Sequence, residues 1–141
     1  MIADIHVVGI TATQKNDFQN AFTNDTYRIY FSLDGEEALE QIECPPVCIV
    51  FTNLTLPGMN GAIFCRKIKS KFPLITVFAI TDDSRLFSLC EIQEDCRRIG
   101  FEDFFTNPID FESIQKAVDL VSGRFGKWRL LSNLRSNIAC S

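Results

Sequence analysis

The chain is expected to form a single doubly wound α/β domain, a parallel sheet with helices on both faces, and three observations predict it. Two short runs, 47–51 and 74–80, are apolar, rich in β-branched and aromatic residues and too short for helices, which is the pattern of strands buried on both faces. Strand-like and helix-like segments alternate five times along the 141 residues without an internal repeat. The loop Leu56-Pro57-Gly58-Met59-Asn60-Gly61 then stops the first run abruptly, because Pro57 removes a backbone donor and the glycines permit positive φ. In open α/β sheets, ligands and reacting groups collect just past such strand ends, here at Thr52 and Asn53.

Residues 4–10 carry Ile5, Val7, Val8 and Ile10 and read as a first strand ending at Gly9 and Ile10. Over residues 14–22, Phe18, Ala21 and Phe22 fall on one helical stripe. Residues 26–31 are β-branched and aromatic, a second strand. Asp34 stands where a helix cap belongs, Gly35, Glu36 and Glu37 open that helix, and Ala38, Leu39 and Ile42 form its buried face. Pro45 and Pro46 end it before the third strand. Asn60 caps the next helix, in which Ala62, Cys65 and Ile68 recur every third residue with Phe64 beside them. Arg66, Lys67, Lys69 and Lys71 read as its solvated face, and Pro73 as its end.

The 74–80 strand runs into Thr81. Leu86, Leu89, Cys90 and Ile99 carry a fourth helix with Glu91, Glu94, Asp95, Arg97 and Arg98 outside, and Gly100 closes it. Residues 103–106 make a short fifth strand and Asn107-Pro108 a turn. Asp110 caps a fifth helix that reaches about Val121 through Ile114, Ala117 and Val118.

Composition narrows the function. At 46% hydrophobic and 23% charged, the chain is long enough to bury a core without disulfides or structural metal. A formal net charge of −4 argues against binding nucleic acid over the whole surface. Residues 123–141 differ, with Arg124, Lys127, Arg129 and Arg135 and no acid, so the expected division is a domain over 1–122 and a basic extension or linker over 123–141. Cys44, Cys48, Cys65, Cys90, Cys96 and Cys140 show no paired Cys-x-x-Cys spacing, and His6 is the sole histidine. Reduced thiols, no metal site and no cofactor are therefore expected. No charged segment with a long apolar run opens the chain, and no apolar run approaches membrane-spanning length, so the expectation is a cytoplasmic chain that makes no membrane contact.

The stretch from Ile49 to Gly61 resembles the receiver domain of bacterial two-component response regulators, whose third strand ends in a phosphate-accepting aspartate followed by a Leu-Pro-Gly-Met-Asp-Gly loop. The resemblance extends over roughly residues 3–121 and implies a (βα)5 sheet of order 2-1-3-4-5. It places Asn53 at the acceptor position and Gly9 and Ile10 where the family has two adjacent acids that hold magnesium. Thr81 keeps the family's hydroxyl at the end of the fourth strand, and Asp82 follows where a small residue is usual. Phe104 matches the switch aromatic, Asn107 the lysine that bonds the phosphoryl group, and Pro108 the residue after an expected cis peptide.

An amide is a poor nucleophile beside a carboxylate, and Gly9 and Ile10 supply no side-chain oxygen for magnesium. Without the metal or the lysine, charge on a transferring phosphoryl group meets no cation. The resemblance thus implies a pseudo-receiver that signals independently of phosphorylation, as a protein-interaction module in a two-component-type pathway. No Ser/His/Asp or Cys/His constellation points to an enzyme. The alternative is a small-molecule or ion sensor using Asn53, Thr81, Asp82 and Asn107. The expected partner is another protein or a second copy, met through the fourth helix, fifth strand and fifth helix. The stretch between Thr81 and Asn107 is longer than receivers usually have, and Trp128, Leu130, Leu131 and Leu134 add apolar residues in the tail.

Overall fold

The computed structural model describes residues 3–22, 27–42, 48–81 and 97–122. Five strands, β1 (Ala3–Val8), β2 (Tyr27–Ser32), β3 (Cys48–Asn53), β4 (Thr76–Thr81) and β5 (Phe101–Thr106), form one parallel sheet in the order β2-β1-β3-β4-β5. This is the expected topology, with β3 beside β1 at the point where the strand order reverses. Three helices, α1 (Ala12–Ala21), α2 (Gly35–Gln41) and α3 (Gly61–Lys71), and a last helix over residues 111–122 cover it.

Strand alternation divides the core in two. Ile5, Val7, Ile49, Phe51, Phe78 and Ile80 point to one face and meet Phe18 and Phe22 of α1 with Ile114, Val118 and Val121 of the last helix. Val8, Val50, Val77 and Ala79 point to the other, against Ala38 and Ile42 and against Phe64, Cys65 and Ile68. The first face is built on aromatics: Phe51 stacks on Phe78 at 4.9 Å, and Phe18 and Phe105 tilt against Phe51 at 5.5 and 6.1 Å.

The helix starts follow the expected chemistry. Asp34 accepts from the Glu37 N–H at 2.8 Å, Asn60 accepts from the Ile63 N–H at 2.8 Å, and Asp110 accepts from the Glu112 N–H at 3.1 Å. One start was missed: α1 begins two residues earlier than expected, at Ala12, because Thr11 and Gln14 form a reciprocal capping box.

Other boundaries move too. β1 stops at Val8, where Gly9 adopts φ +76° and turns the chain out of the sheet. β4 begins at Thr76, and Leu74 lies in the preceding turn, 61% exposed, since a continuous apolar run does not mark where the chain enters the sheet. β5 begins at Phe101; Val77 pairs with Phe101 and Phe78 with Asp103, so Glu102 is an extra residue in the ladder. Lys69 is not part of the solvated face: its ammonium donates to the Ile75 carbonyl at 2.6 Å. Residues 97–99 are helical and Gly100 follows with φ +120°, whereas the rest of the expected fourth helix and residues 123–141 lie outside the described residues.

Candidate functional site

Parallel register brings the carboxyl ends of β1, β3, β4 and β5 to one edge of the sheet, and backbone hydrogen bonds tie the loops there. The Leu54 N–H donates to the Ile80 carbonyl at 3.0 Å, and the Asn107 N–H to the Thr81 carbonyl at 3.0 Å. The Gly61 N–H donates to the Leu54 carbonyl at 2.8 Å, folding the 54–60 loop back on itself. Gly61 has no room for a side chain, since a Cβ there would lie 2.6 Å from the Asn53 carbonyl oxygen.

Asn53, half-buried, is held from both sides. Its Nδ2 donates to the Gly9 carbonyl at 3.2 Å, and its Oδ1 accepts from the Thr55 N–H at 3.2 Å, so both ends of the amide bind the chain. Gly9 is close by but has no side chain, and a Cβ placed on it would overlap Cδ2 of Leu56. Ile10 is half-buried and packs against the core shared by α1 and the last helix. Thr81 is buried at the end of β4. Phe104 is half-buried and packs against the α3-side cluster. Asn107 precedes the cis peptide to Pro108, as expected, and its Oδ1 accepts from Gln14 Nε2 at 2.9 Å. Asp82 lies outside the described residues.

The structure therefore joins Gly9, Asn53, Thr81 and Asn107 at one edge and packs Ile10 and Phe104 against the two core clusters. Sequence reasoning missed two contributors. Gln14 serves the site through its amide, which accepts from the Thr11 N–H at 3.0 Å while donating to Asn107. The Thr11-x-x-Gln14 spacing is the signal that could have found it. Leu56 supplies hydrocarbon against Gly9, a contact no local pattern encodes. Among the described residues no group of three or more His, Cys, Asp or Glu side chains is placed to hold a metal ion, and no helix is long and apolar enough to cross a membrane.

A family model, response regulator receiver domain, matches residues 5–119. Over 84 residues the chain is 36% identical to a cyclic di-GMP phosphodiesterase of Thermotoga maritima; the match takes in 58% of this chain and 21% of that protein, so the chain spans about a fifth of that relative's length. Among solved structures it superimposes on the signal receiver domain of an HD domain-containing protein from Pseudomonas fluorescens Pf-5 with a TM-score of 0.77, at 19% identity over 91% of this chain and 92% of that one. A CheY-like response regulator receiver domain protein from Methanospirillum hungatei JF-1 gives 0.76, at 14% identity over 90% and 98%. At these identities the structural likeness is one of fold.

Proposed function

The chain belongs to the response regulator receiver domain family, and from that membership we propose that it works in two-component signalling as a phosphorylation-independent protein-interaction module. The observation that carries the reading is the state of the strand-end site. The acceptor position is Asn53, an amide without a nucleophilic oxygen, and both of its ends already bind the chain. Gly9 and Ile10, at the positions of the family's metal-holding acids, bring no side-chain oxygen, and Leu56 occupies the space beside Gly9. These residues do not fit magnesium, which requires a near-octahedral set of oxygens. Asn107 stands in the place of the phosphate-binding lysine and offers no positive charge.

A receiver with this site has its surface left to signal with. β5 carries exposed Glu102 and Asp103 and the last helix carries Leu120, 65% exposed, and these two elements are proposed to meet a protein partner. The ligand-sensing alternative draws no support from the geometry, because the Asn53, Gln14 and Asn107 amides are engaged with the chain and with one another.

Incubation of the full chain with acetyl phosphate and Mg²⁺, followed by intact-mass measurement, tests the reading. An unchanged mass is expected, with amide NMR spectra that do not respond to beryllofluoride plus Mg²⁺. Addition of one phosphoryl group would overturn it.

A further inference from the structure

α2 and α3 lie side by side on one face of the sheet. Gly35, at the start of α2, is packed so closely on the α3 side that a Cβ there would come 2.9 Å from the Met59 sulfur and 3.0 Å from the Phe64 ring. Both helices return from parallel neighbours in the sheet and so run in the same direction. Their charges are fully segregated. α2 carries Glu36, Glu37 and Glu40 and no base, whereas α3 carries Arg66, Lys67, Lys69 and Lys71 and no acid.

Part of this charge is used locally. Glu37 accepts from the Leu33 N–H and from Gln41, and Lys69 donates to Ile75. Glu36, Glu40, Arg66, Lys67 and Lys71 are exposed, and among the described residues none of them has an ion pair. The free acids are four residues apart and so are Lys67 and Lys71, one helical turn in each case. Ile63, 43% exposed, sits one turn before Lys67, and Leu33, 73% exposed, directly precedes the cap of α2. A shallow groove of about 440 Å³ runs along Ile63, Arg66, Lys67, Ser70 and Lys71.

We propose that this face pairs two copies of the chain about a two-fold axis parallel to α2 and α3 and midway between them. Such an axis keeps every residue at its own level along the helices and exchanges one helix for the other. Gly35 is level with the first turn of α3, so Glu40 of each copy lies level with Lys67 of the second copy, with Glu36 one turn before it and Lys71 one turn beyond, and Leu33 approaches Ile63 at the helix starts. Self-pairing is favoured over an acidic ligand by the chain's own arrangement. An acidic peptide drawn to α3 would be repelled by the acids beside it on α2, whereas a second copy matches both rows at once. Exposed ion pairs contribute little each, so the dimer is weak and salt-sensitive. The inference goes beyond the proposed function: it assigns self-association to the α2–α3 face, leaves the β5 and last-helix face for a different protein, and is independent of phosphate.

Sedimentation equilibrium of the full chain tests it through charge reversal. Wild type is expected to dimerise in low salt and to weaken roughly tenfold as salt rises to ~0.5 M. Glu36→Lys with Glu40→Lys is expected to be monomeric, as is Lys67→Glu with Lys71→Glu, because each places like charges opposite one another. An equimolar mixture of the two variants is expected to dimerise, since every reversed row then faces its complement. A monomeric wild type, dimers that survive either reversal, or variants that stay monomeric when mixed would each overturn the proposal. None of these outcomes bears on whether Asn53 accepts phosphate.

Discussion

Gln14 Nε2 donates to Asn107 Oδ1 across 2.9 Å, joining the first turn of α1 to the loop after β5. The same amide accepts from the Thr11 N–H, so one side chain closes the capping box and the edge of the site together. A double-mutant cycle on Gln14→Ala and Asn107→Ala is expected to show a coupling energy of about 0.5–1.5 kcal/mol by urea denaturation. Gln14→Ala is also expected to open the cap of α1. Zero coupling would mean that the two amides do not act as a pair.

Restoring the acceptor alone is not expected to restore the chemistry. Asn53→Asp would replace a donor to the Gly9 carbonyl with a second acceptor, so the variant is expected to be about 1–3 kcal/mol less stable. It is also expected to remain unphosphorylated by acetyl phosphate, since residues 9, 10 and 107 still lack the groups that balance the transferred charge. Intact mass and urea denaturation check the two halves separately. Stoichiometric phosphorylation of this single variant would show that an acceptor carboxylate is sufficient.

Gly9 is held by both conformation and space. Its φ of +76° costs an L-residue about 1–2 kcal/mol, and a Cβ would displace Leu56. Gly9→Ala is therefore expected to lower stability by about 2–3 kcal/mol. In the double variant Gly9→Ala, Leu56→Ala the steric part disappears and only the backbone strain and the lost burial of Leu56 remain. The two changes should therefore be clearly non-additive in chemical denaturation.

The central strands were legible because apolar runs such as that around Val50 and Phe51 fit a strand buried on both faces, whereas their order in the sheet came from the receiver resemblance. The caps Asp34, Asn60 and Asp110 were legible because a short polar side chain directly precedes a helical period. The closing contacts of the site were not. Gln14 and Asn107 are 93 positions apart, and only the parallel register brings them together. The packing of half-buried Ile10 against the core and the seating of Leu56 over Gly9 depend on how loops leave the sheet, which side-chain period does not encode. Lys69 read as solvent-facing because its charge dominates any pattern, yet its stem crosses the edge of α3 to a strand-entry carbonyl.

His6 is expected to make the fold sensitive to acid. It lies within β1 at 3% exposure, stacked on Tyr30 at 4.9 Å, and its Nδ1 has no hydrogen-bond partner. Burial lowers its pKa from the usual value of 6.5, and the neighbouring Asp4 opposes that shift only in part. Asp4 also accepts from Arg28 Nε at 2.8 Å, so its charge is already shared. Because the folded pKa lies below the unfolded one, the unfolded chain binds the additional proton first. The contribution of neutral His6 is thus complete above pH 6.5 and is lost as pH falls from there through the folded pKa, at a slope of at most about 1.4 kcal/mol per pH unit. Urea denaturation of wild type between pH 7.5 and pH 5.5 is expected to show this loss. His6→Phe keeps an aromatic ring against Tyr30 but cannot titrate, and over the same window its stability is expected to be flat. A variant that loses stability in parallel with wild type would place the acid sensitivity elsewhere in the chain.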